Sequence, residues 1–92
     1  MERSKKMDRR KEIEILVKDG ATRSEAEYHL DRGTIVYEVA DFLEFFEEYT
    51  QACEPEDKER IKSFVEEGRN GVCDDYAMVT YDGTQYLIEY VL

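Results

Sequence analysis

Few residues in this chain could do chemistry. Its 92 residues hold two thiols, Cys53 and Cys73, and one imidazole, His29. A cysteine nucleophile needs a base within hydrogen-bond reach, and neither thiol sits in a signature that would bring His29 to it. Nineteen residues separate the cysteines, so they form no CxxC pair, and a single histidine does not complete a zinc set. Spacing does not fix a disulfide. Reduced thiols suit a chain whose first residues lack the apolar run of a secretory signal. Asp74-Asp75 lacks the alternating oxygens, central Gly and terminal Glu of a calcium loop. With 23 Asp and Glu, carboxylate pairs are too common for any one to mark a general acid and base. The inventory therefore predicts a non-enzyme, with no catalytic residues, no cofactor and no metal.

What the chain does carry is unevenly placed charge. Residues 1–11 hold six Lys/Arg against two acids, whereas residues 12–92 hold seven against twenty-one. The net charge is −10. Such a body repels nucleic acid and attracts basic protein surfaces, and the basic arm (Arg3, Lys5, Lys6, Arg9, Arg10, Lys11) offsets it. The arm has no interleaved aromatic or Gly and no reader motif, so it reads as a flexible solubilising extension over residues 1–10. Nine acids and one Lys fall between Glu38 and Glu59. Glu44, Glu47, Glu48, Glu56 and Glu59 are the candidate binding carboxylates. Spaced along rigid helices they could fill the Arg/Lys groove of a nucleic-acid-binding protein. The same pattern is also that of the solvated side of amphipathic helices. A second candidate surface is aromatic. Tyr76 and Met78, with Tyr28, Tyr37 and Leu87 nearby, have the composition of a protein-binding patch, or of a second core face under a helix.

The elements that must position these residues follow from periodicity. Ile13, Leu16 and Val17 share a helical face that Gly20 ends. Thr22 and Glu25 form a capping box for a second helix, closed by Gly33. TIVYEV (34–39) reads as a strand. Asp41, with Glu44 three residues on, predicts the start of one long helix whose Phe42, Phe45, Phe46 and Tyr49 make a broad apolar stripe. Pro55 suits the first turn of another helix, with Ile61, Phe64 and Val65 inward and Gly68 as its stop. Asn70-Gly71 marks a turn. Asp82-Gly83 predicts a type I′ hairpin pairing Tyr81 with Thr84, Val79 with Tyr86 and Ala77 with Ile88. The face bearing Tyr76, Met78 and Leu87 alternates with Thr80, Gln85 and Glu89 and reads as half solvated.

Two stretches carry resemblances. Residues 13–43, with Gly20, SEAEYHL, Gly33 and VADFL, resemble the three-helix ubiquitin-associated domains, which bind ubiquitin through a hydrophobic loop. Here Ala21-Thr22 replaces the hydrophobic loop residue and TIVYEV reads as strand. The longer run GATRSEAEYHLDRGTIVYE, then FFEEY and DGTQYLIEYVL, is similar to small acidic proteins carried on mobile elements of Gram-positive gut bacteria. That resemblance implies an accessory role near mobile DNA, including inhibition of host defence, and no catalytic residues.

The expectation is one acidic α+β domain over residues 11–92: about four short helices on a small antiparallel sheet ending in a hairpin. It would be a cytoplasmic, non-enzymatic protein-binding or regulatory protein. The alternative is a nucleic-acid mimic that blocks a DNA- or RNA-binding enzyme. The expected partner is a protein with a basic surface, with no membrane contact and no nucleic acid bound directly by the acidic body. An apolar second sheet face would also suit a homodimer.

Overall fold

The computed structural model describes residues 7–91, so Arg3, Lys5 and Lys6 of the basic arm lie outside the described residues. Its elements run α1 (Arg9–Lys18), α2 (Arg23–Asp31), β1 (Ile35–Glu38), α3 (Val39–Glu44), α4 (Phe46–Tyr49), α5 (Pro55–Glu67), β2 (Gly71–Cys73), β3 (Tyr76–Tyr81) and β4 (Thr84–Glu89). The strands form one antiparallel sheet in the order β1-β4-β3-β2. The fold is α+β, as the sequence predicts.

The C-terminal hairpin has the expected register, with Tyr81 opposite Thr84, Val79 opposite Tyr86 and Ala77 opposite Ile88. Asp82 (φ 51°) and Gly83 (φ 79°) both adopt positive φ, as a type I′ turn requires. A second hairpin was not anticipated. Gly71 opens β2 rather than ending a turn, and Asp74 (φ 54°) turns the chain so that Cys73 faces Tyr76. Asn70 ties this addition down. Its Oδ1 accepts from Gln85 Nε2 at 3.0 Å and from Thr80 Oγ1 at 3.2 Å.

Because strand side chains alternate, one sheet face carries Val36, Ala77, Val79, Tyr86 and Ile88, and the other Tyr37, Tyr76, Met78 and Leu87. The first face packs with Ile13, Ile15 and Leu16 of α1 and Ala26 of α2. The second packs with Phe42, Phe46, Ile61 and Val65 of α3, α4 and α5. The molecule is thus a three-layer sandwich, with helices on both sides of the sheet. That corrects the half-solvated face. It also corrects Tyr76 and Met78 as a binding surface, since they are only 8% and 1% exposed. The apolar face proposed for a homodimer is therefore filled by the chain's own helices.

Helix details differ from the pattern in instructive places. Asp8 caps α1 by accepting from the backbone N–H of Arg10, so Arg9 and Arg10 belong to the folded domain rather than to the arm. Arg9 also pairs with Asp31 at 2.9 Å, joining α1 to α2. Ile15 is fully buried while Val17 is 40% exposed. The buried arc of α1 is shifted because it packs against both α2 and β3. The Thr22–Glu25 capping box forms in both directions. Residues 35–38 are strand, where a ubiquitin-associated domain would continue helical.

The long helix predicted from Asp41 is instead two short ones. α3 starts earlier, at Val39, with no side-chain cap. Asp41 is occupied elsewhere, accepting from the Tyr49 hydroxyl at 2.8 Å. The chain leaves helical geometry at Phe45 (φ −112°, ψ 34°), and this break turns Phe45 away from the buried cluster of Phe42 and Phe46. Thr50 closes α4, its hydroxyl donating to the Phe46 carbonyl at 2.7 Å.

Candidate functional site

The two helical layers differ sharply in charge. Residues 8–32, forming the α1–α2 layer, carry seven acids and six bases; residues 39–67, forming the α3–α5 layer, carry ten acids and three bases. The asymmetry has a local cause. Phe42, Phe46, Ile61 and Val65 take the inward positions of α3, α4 and α5, which leaves the outward ones to carboxylates. Glu44, Glu47, Glu48, Glu56 and Glu59 are all exposed. Glu47 accepts from Lys58 Nζ at 2.6 Å, bridging α4 and α5. That hydrogen bond, helped by the ammonium charge, lowers the Glu47 carboxyl from its ordinary value. The layer can therefore present several ionised carboxylates on packed helices, an arrangement suited to attracting cations.

The remaining candidates scatter. His29 lies in the α1–α2 layer, its ring edge-on to Tyr90 at 5.0 Å and to Tyr28 at 6.0 Å. Cys53 packs against the opposite core, and Cys73 shares the sheet face of Tyr76. The sheet thus separates the imidazole from both thiols, and no cysteine–histidine pair is assembled. Both cysteines are free and half-buried. Asp74 and Asp75 line a depression of about 510 Å³ with Cys53, Asp57, Arg60 and Tyr76. Arg60 fills its charge requirement, pairing with Asp74 at 2.6 Å and Asp57 at 2.9 Å. No signal along the sequence connects Arg60 to Asp74, because the three residues of β2 are too few to show a strand's periodicity. Among the described residues no group of three His, Cys, Asp or Glu could hold a metal ion, and no helix is long and apolar enough to cross a membrane.

The tyrosines work inside the fold. Tyr37 donates to Glu89 at 3.1 Å, and Tyr90 to Asp19 at 2.6 Å. Burial first, then the neighbouring carboxylates Glu89 and Asp19, raise the phenols of Tyr37, Tyr76 and Tyr90 far above their ordinary value. The raised folded-state values mean that the native state holds these protons more tightly than the unfolded chain. Their contribution to stability is complete below about pH 10 and is lost as pH rises beyond it. Urea midpoints are expected to hold steady from neutral to mildly alkaline pH and to fall above about pH 10. Replacing all three tyrosines by Phe should flatten that fall.

Tyr28 is the exposed aromatic of the set, at 58%, and its hydroxyl accepts from Arg32 at 2.9 Å. The exposed carboxylates of α3–α5 are thus the part of the anticipated site that reaches solvent. No known protein family, curated protein or solved structure matches this chain.

Proposed function

We propose that this protein is a non-enzymatic accessory protein that binds a basic surface on another protein through its α3–α5 layer. The observation that carries this reading is the charge asymmetry. Ten acids against three bases sit on one helical layer, while both apolar faces of the sheet are consumed by the core. The outward side of the α3–α5 layer is charged, so association through it would be steered electrostatically and weakened by salt.

A specific form of this reading is the nucleic-acid mimic, in which the carboxylates stand in for phosphates and block a DNA- or RNA-binding enzyme. The run of exposed Glu44, Glu47, Glu48, Glu56 and Glu59 on successive helices favours it.

The test is capture from host lysate followed by salt elution and direct binding to the purified partner. The partner should be released between about 0.1 M and about 1 M salt, where the Debye length falls from about 10 Å to about 3 Å. Glu44→Gln, Glu47→Gln and Glu48→Gln together should weaken binding about tenfold or more, each charge-assisted contact contributing up to about 1 kcal/mol. A partner that survives high salt and ignores the triple variant would sink the proposal. Competition by duplex DNA or RNA for the partner would select the mimic.

A further inference from the structure

The α1–α2 side of the molecule carries an open groove that the acidic layer plays no part in. It encloses about 380 Å³ and is lined by Glu14, Val17, Lys18, Arg23 and Tyr81, a volume near the lower end of small-ligand sites. Glu14, Val17 and Lys18 stand at i, i+3 and i+4 on one face of α1. Arg23 is the first residue of α2, and Tyr81 ends β3.

Two properties of this groove bear on what it can hold. Val17 is 40% exposed although Ile13, Ile15 and Leu16 around it are buried, so an apolar side chain and the half-buried Tyr81 ring are left facing solvent together. Lys18 and Arg23 make no ion pair among the described residues. They bring two positive charges to the groove in a chain of net charge −10. The one acid of the groove, Glu14, is engaged, accepting a hydrogen bond from the Tyr81 hydroxyl.

We propose that this groove binds a small amphipathic monoanion, with a short apolar body lying on Val17 and Tyr81 and its carboxylate held by Lys18 and Arg23. The apolar floor selects for a hydrocarbon or aryl body. The cation pair selects for a negative head group, and Arg23 can grip a carboxylate with two parallel N–H donors. Glu14 sets the limit of one charge, since a second anionic group near it would be repelled. For a ligand of about ten non-hydrogen atoms in an open site, the Kd is on the order of 1 mM or tighter.

The experiment is an amide NMR titration of the full chain with octanoate, with 1-octanol as the uncharged control. Saturable shifts should be confined to residues 14–23 and the end of β3, and octanol should bind at least about tenfold more weakly, one charge-assisted contact being enough for that difference. Lys18→Gln and Arg23→Gln each replace an exposed side chain, so both variants should keep the native spectrum. Each should weaken octanoate severalfold, and the double variant should abolish saturation. Shifts that never saturate, that scatter over the surface, that octanol reproduces, or that the double variant retains would each overturn the proposal.

Discussion

Phe42→Ala is expected to destabilise the domain by about 3–5 kcal/mol, the range for emptying a large aromatic site in a packed core. Phe42 is fully buried and is the hub of an aromatic cluster. Its ring stacks on Tyr49 at 5.9 Å and meets Tyr37 at 5.1 Å and Phe46 at 5.6 Å, both edge-on. Removing it takes partners from three rings at once, and neighbours on α3, α4 and β1 would have to collapse together to fill the void. A loss of this size corresponds to a fall in Tm of more than about 10 °C for a domain of this length. Phe45→Ala is the informative comparison. The stripe Phe42, Phe45, Phe46, Tyr49 makes the two phenylalanines equivalent, but Phe45 is half-buried and, among the described residues, its ring meets one other ring, that of Tyr49, at 6.3 Å. Its loss should cost about 1 kcal/mol. Equal urea midpoints for the two variants would show that the helix does not break at Phe45.

Leu16→Ala tests the opposite layer and should cost about 2–5 kcal/mol. Leu16 is fully buried in the cluster that joins α1 and α2 to Val36, Val79, Tyr86 and Ile88. The sheet stands between it and Phe42, and the two side chains share no partner, so their effects should add within about 0.5 kcal/mol. A domain of this size has a total stability of about 5–14 kcal/mol. The double variant is therefore expected to be largely unfolded, with its far-ultraviolet circular dichroism lost at room temperature. If Leu16→Ala left the melting curve in place, the α1–α2 hairpin would be a loosely docked appendage rather than half of the core.

Where one local interaction decides the structure, the sequence was readable. Thr22 with Glu25, Pro55, Gly68 and Asp82-Gly83 each act within a few residues, and each did what its chemistry predicts. Failures came where a distant contact overrode a local preference. Asp41 is a good N-cap residue, yet the Tyr49 hydroxyl takes its carboxylate and the helix begins before it. The face of Tyr76, Met78 and Leu87 read as half solvated because Thr80, Gln85 and Glu89 alternate with it. Those polar residues fall at the ends of the strands, and the middle is sealed by α3, α4 and α5. β2 was missed because three residues with one exposed valine carry almost no periodic signal. Among the candidate site residues, the glutamates were legible because a helix's outward positions are also its solvent positions. Lys18 and Arg23 were not, since only the packing of α1 against α2 brings them to one groove.

The strand order has a consequence for how the chain reaches this state. β4 is a central strand, yet it comes last in chain order among the described elements. Its partner β1 was made half a chain earlier, and Tyr37 and Glu89, which close that pairing, stand 52 residues apart. The two C-terminal hairpins are local and fast to form, whereas docking β1 must close a long loop. Until β4 is in place, β1 has no partner strand and the apolar faces of the helices lack a complete sheet to cover, and the chain is at its most vulnerable to aggregation and proteolysis. A chain cut short by even its last strand is expected to lose both cores at once, rather than retain a stable N-terminal half.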